Sequence, residues 1–190
     1  LARLVHLLHR ELWRIQEQRL RQASPPPLAN GLEAHLQPAV ESLWVEYVST
    51  RRTVWSLPAD ADLLLPHLAD LVEALPPACA GDTAVAVASG ELSDLFLRSL
   101  GRVTHLMQVV GHVQGYLAGL GRSVESLSPD FGATLQASFL GPRWARCTRL
   151  LDALYGSNGQ WDGELLHNTL RPEVLAVFAA LGLDLRPTED

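Results

Sequence analysis

The sequence predicts an all-α fold: a single-domain helical bundle or short helical array of about six to eight helices over residues 1–190. Three observations predict it. Apolar residues recur at three- and four-residue spacing in every long segment. Leucine and alanine dominate while isoleucine occurs once, at Ile15, a bias that favours helix over sheet. No two alternating segments flank a hairpin turn, so a strand would have no partner.

The first helix is marked by Leu1, Leu4, Val5, Leu8, Leu12 and Ile15, which share one face. Leu7, His9 and Trp13 add a weaker second stripe, so contact from two sides is expected. The helix should end near Gln22, because the prolines Pro25, Pro26 and Pro27 cannot continue it. A second helix keeps Val40, Leu43, Trp44, Tyr47, Val48, Val54 and Trp55 in one register, with Pro38 in its first turn. Trp44 and Trp55 are both expected in the core. A third helix carries Leu64, Leu65, Leu68, Leu71, Val72 and Leu75, begins around Pro66 and should stop at Pro76-Pro77. The alternating stretch Thr83–Ala88 reads as a turn or helical lead-in rather than a lone strand.

The fourth helix, from Glu91 to about Leu120, is the longest. Phe96, Leu100, Val103, Met107 and Val110 form a coiled-coil-like seam. Ser128-Pro129-Asp130 is a helix start. That short helix ends at Gly141-Pro142, and the next carries Trp144, Cys147, Leu150, Leu151, Leu154 and Tyr155. Two short helices should follow, Glu164–Leu170 and Pro172–Leu181, with Gly182 as the C′ glycine. Trp44, Tyr47, Leu68, Leu71, Val103 and Leu151 are predicted to share one core.

Composition narrows the function classes. All 15 basic residues are arginine, and the formal net charge is −6. That balance argues against a sequence-independent grip on nucleic acid, which needs clustered cations. The lysine-free, isoleucine-poor profile is what a GC-rich coding sequence produces. Cys79 and Cys147 fit no metal spacing and read as free thiols in an intracellular, reducing compartment such as cytoplasm or nucleus. No run of 18 apolar residues lacks a charge, so no membrane span is expected. The start at Leu1, without an initiator methionine, reads as a piece of a longer protein.

Gly111, Gly115 and Gly119 are spaced by four inside the fourth helix. Each costs about 1 kcal/mol relative to alanine, so the stripe must be offset by close approach of another helix or a partner. Trp13 lies off the main stripe and Trp161 follows a turn, which makes both candidates for a partner surface. His105, His112 and Tyr116 share the fourth helix and could line a pocket between helices. His6 and His9 stand three apart, close enough to share an ion. Glu164 and His167 form a Glu-x-x-His pair, half of a di-iron motif, but no second copy exists. No nucleophile elbow or phosphate loop occurs, so no catalytic residue, cofactor or metal is assigned.

The expectation is a non-catalytic helical interaction or scaffold module. Its partner would be another protein or a second copy of itself, with no nucleic acid and no membrane span. Two alternatives are a small all-α enzyme or ligand-binding protein with an inter-helix pocket, and the effector-binding domain of a regulator.

Overall fold

A computed structural model describes residues 1–23, 25–157 and 162–187. Among these, eight α-helices and no strands are present: α1 (Ala2–Ala23), α2 (Gly31–Thr53), α3 (Leu65–Ser89), α4 (Leu92–Leu120), α5 (Val124–Leu127), α6 (Pro129–Ala137), α7 (Gly141–Gly156) and α8 (Gly163–Ala180). The all-helical expectation holds.

The centre is a parallel pair, α2 and α4. Leu43 faces Gly111, Tyr47 and Thr50 face Gly115, and Arg51 and Val54 face Gly119, so both helices advance in the same direction along the contact. A Cβ placed on Gly111 would stand 2.3 Å from the Leu43 carbonyl oxygen, and one on Gly115 would stand 2.4 Å from that of Tyr47. No side chain fits there. The glycine stripe therefore lies against α2 within the chain, and backbone-to-backbone contact offsets its helix penalty. The Thr50 hydroxyl donates to the Glu46 carbonyl oxygen at 2.6 Å and lies 3.2 Å from that of His112 across the seam.

Around this pair one buried apolar cluster draws side chains from α2 through α8. Trp44, Tyr47, Leu68, Val103 and Leu151 are all fully buried within it, and Leu71 packs against its edge.

Several helix boundaries differ from expectation, each for a physical reason. Asn30 caps α2, its side-chain oxygen accepting from the Glu33 backbone N–H at 3.0 Å, so the helix starts well before Pro38 and encloses it. That helix ends at Thr53, and Val54–Ser56 form a 3₁₀ turn that swings Trp55 into solvent at 71% exposure. Trp55 is thus a surface residue, not core. Helix α3 runs through Pro76-Pro77 and takes in Thr83–Ala88. Proline removes one donor and crowds the preceding turn, but Pro77 faces solvent, as does Glu73, whose carbonyl loses its partner and can be hydrated. The same holds at Pro172 and Asn168, both exposed, so the two expected C-terminal helices are one, α8. Gly182, with φ of 82°, ends it as expected; the Leu183 N–H donates to the Phe178 carbonyl at 3.0 Å.

Among the described residues one helix, α3, is long and apolar enough to cross a membrane, although Ala, Gly and Pro supply much of its composition.

Candidate functional site

Helix α1 runs antiparallel to α2 and α4, and it is mounted with its apolar face outward. Leu8 is 56% exposed and Leu12 63%, and Leu1, Leu4, Val5, Leu7 and Ile15 are exposed with them. The residues it buries are His6 and Glu17. Only Leu20 of α1 packs against the core cluster, and only partly. The sequence places Leu1, Leu4, Val5, Leu8, Leu12 and Ile15 on one face and expects contact from two sides; the structure turns that face, with Leu7 at its edge, to solvent. Polar partners on α2 and α4 claim the opposite side of the helix.

The inward face is built from reciprocal polar contacts. His6 lies between two hydroxyls, with its Nδ1 3.1 Å from Ser56 Oγ and its Nε2 2.5 Å from the Tyr116 hydroxyl. Ser56 already donates its proton to the Thr53 carbonyl at 3.0 Å, so it accepts from His6 Nδ1–H. The Tyr116 hydroxyl then donates to Nε2, and the ring is neutral. Burial, with the charge of Arg10 adding to it, holds the His6 pKa below the ordinary histidine value.

One turn on, Arg10 Nη1 lies 3.5 Å from His112 Nδ1. Glu46 sits behind, with one oxygen 3.6 Å from His112 Nδ1 and the other 3.3 Å from both Arg14 and Gln108. Burial also lowers His112, against the opposing pull of Glu46. For Glu46 burial acts to raise the carboxyl, but the contact with His112 and the charges of Arg14 and Arg10 outweigh it and hold the group ionised.

Further along, Glu17 is fully buried 3.4 Å from Arg52, whose guanidinium lies 4.3 Å from the Trp13 ring centre. Burial raises the Glu17 carboxyl, with Arg52 opposing. Arg21 bonds Glu41, and Arg3 meets Asp60 at 2.6 Å, closing the two ends. The helix is clamped by charge and hydrogen bonds rather than by apolar burial.

The predicted site residues are distributed around this clamp. Trp13 turns inward against Arg52 and is half-buried, while Trp55, 4.6 Å from His9 between ring centres, is the exposed indole at the helix edge. Trp55 is exposed because it lies beyond the end of α2, whereas Trp13 lies on the clamped side of α1. Trp161 lies outside the described residues. His6 and His9, read as able to share an ion, take separate partners. His167 is buried 3.8 Å from Glu33, while Glu164 points to solvent, so that pair is not a joint ligand set.

His105 and His112 do line one cleft of about 220 Å³, with Arg10, Arg14, His67 and Gln108. Tyr116 lies one turn deeper, edge-on to His112 at 4.7 Å, and joins the clamp rather than the cleft. His67 and His105 approach to 3.1 Å at the cleft mouth. Among the described residues no three His, Cys, Asp or Glu side chains gather as a metal site requires. Both cysteines are free and buried.

Sequence reading did not single out Arg10, Arg14, Glu17, Glu46 or His67. The available signal was the density of arginine on a helix whose opposite face is leucine. Comparison of the chain with protein-family models, curated proteins and solved structures gave no match.

Proposed function

We propose that this chain is a non-catalytic docking module that holds α1 by its polar face and offers the leucine face to an apolar helix of another protein chain. One observation carries the reading: the strongly amphipathic α1 turns its leucines to solvent while burying His6 and Glu17. A contiguous apolar patch of a few hundred Å² on a soluble surface is a common mark of a binding site. The spacing of the exposed residues suits a helical occupant, because Val5, Leu8, Leu12 and Ile15 step by three and four as coiled-coil seam positions do. Trp55 at the rim adds an exposed aromatic of the kind enriched at binding hot spots.

The cleft at His105 and His112 gives less support to a ligand-binding or enzymatic reading. Its volume of about 220 Å³ falls below the ~300 Å³ at which small-molecule sites begin. Of its charged groups, Glu46 and Arg14 already pair with each other at 3.3 Å.

A synthetic three-heptad peptide with leucine at its seam positions tests the docking reading. Titrated against the protein and followed by calorimetry, it should bind saturably, and Leu8→Glu with Leu12→Glu should abolish binding without loss of helical circular dichroism. No binding, or equal binding to the double variant, would refute it.

A further inference from the structure

We infer that the helix received by the outward face of α1 is α1 of a second copy of this chain, the two packed antiparallel about a two-fold axis. This rests on the docking reading above and specifies its partner. Register points to a second copy. Leu1, Val5, Leu8, Leu12, Ile15 and Arg19 step by four, three, four, three and four, an unbroken seam of the 3.5-residue period. A helix lying alone on its own domain has no need of that period on the side facing water. Antiparallel pairing sets Leu8 of one copy on Leu12 of the other, and Val5 on Ile15. Leu1 then falls on the aliphatic stem of Arg19. The stripe is its own complement, as an isologous interface requires.

Area agrees with this pairing. Leu1 and the six exposed apolar residues of α1 together show about four leucines' worth of side chain, or ~400 Å² at ~100 Å² each. Two copies would bury ~800 Å² of apolar surface. With apolar atoms near 60% of an interface, that corresponds to a total of ~1,300 Å², inside the range of specific stable complexes. Trp55 lies beside His9 at the edge of the stripe and extends it.

Charge does not oppose the pairing. Although α1 carries five arginines, Arg3 pairs with Asp60, Arg14 with Glu46 and Arg21 with Glu41 on the body of the same molecule. Glu11, beside the seam, is held by Arg14 at 3.1 Å. Apart from Arg19, which lies on the seam itself, the charges beside this face are engaged within the same molecule, and the chain's net charge of −6 is not concentrated there.

Sedimentation equilibrium of the whole chain tests this at about 1 to 100 µM, where an interface of this size with ordinary affinity would be populated. The wild-type protein should be dimeric at the upper end, and Leu8→Glu and Leu12→Glu should each weaken dimerisation at least 100-fold. Leu97→Glu, equally exposed on α4, should leave it unchanged. Helical circular dichroism of each variant shows that the fold persists. A wild-type monomer throughout the range, or a dimer indifferent to both α1 changes, overturns the inference. If the monomer still binds the leucine heptad peptide, only the identity of the partner falls; if it does not, the docking reading falls too.

Discussion

Replacing Gly115 by alanine should destabilise the fold, while the same change at Gly101, in the same helix, should stabilise it. At Gly115 the added carbon would stand 1.9 Å from Thr50 Oγ1, 2.4 Å from the Tyr47 carbonyl oxygen and 3.0 Å from the Tyr47 Cα. The hydroxyl can rotate away, but the backbone atoms cannot, so α2 and α4 must separate by about 1 Å to restore ordinary contact. Overpacking of this kind costs roughly 1–3 kcal/mol, and separating the seam adds lost dispersion along it. The gain in helix propensity returns about 1 kcal/mol, which leaves a net loss of about 2 kcal/mol. At Gly101 nothing lies within 4 Å, so only the propensity gain of about 1 kcal/mol remains. For a chain of this size the two variants should melt on opposite sides of wild type, separated by about 6–12 °C. Differential scanning calorimetry reads this directly. Equal or higher stability for the Gly115 variant would refute the close parallel pairing of α2 and α4.

Two further outcomes follow from burial and charge. Leu68→Ala, at a fully buried site, should cost about 2–5 kcal/mol, and Leu71→Ala, at the core edge, distinctly less; chemical denaturation that ranks them the other way would show α3 rotated from its described face. His6 and His112 are held neutral, so the stability they contribute is complete above about pH 6.5 and is lost as pH falls from there through their lowered folded values. Arg10, Arg14, Glu46 and Tyr116 face these rings. The effect is read as the difference between wild type and a His6→Gln/His112→Gln variant, in which the opposite-signed contribution of Glu17 cancels. A difference that stays constant from pH 8 to pH 5 would contradict the clamp.

Much of the fold was legible because its signals are local. The glycine stripe could be read from sequence since its propensity penalty is borne within one helix, and only removal of Cβ explains three such positions at spacing four. Core residues such as Trp44, Leu68 and Val103 were likewise found by period alone. The orientation of α1 was not. Periodicity says which residues share a face, never which face is turned inward. The partners that draw in His6, Arg10 and Glu17 are Tyr116, His112 and Arg52, which stand 35 to 110 residues away. Trp55 was misplaced for a related reason: the α-helical register was extended across Val54–Ser56, where the chain tightens to 3₁₀. Pro76 and Pro77 were read as a stop, and Pro172 as the start of a new helix, because the rule assigns a fixed penalty to a missing hydrogen bond. At Pro77 and Pro172 the freed carbonyl belongs to a residue facing solvent, and water can take up its bond.

Whether α1 buries its polar face and shows its leucines to solvent is decided by the stability of a Leu8→Gln/Leu12→Gln variant. Unfolding should be measured with denaturant at the lowest concentration that tryptophan fluorescence allows, where self-association contributes least. Stability should stay within about 0.5 kcal/mol of wild type, since both side chains are more than half exposed. A loss of about 2–5 kcal/mol or more, the cost of emptying a core site, would show that this face packs inward.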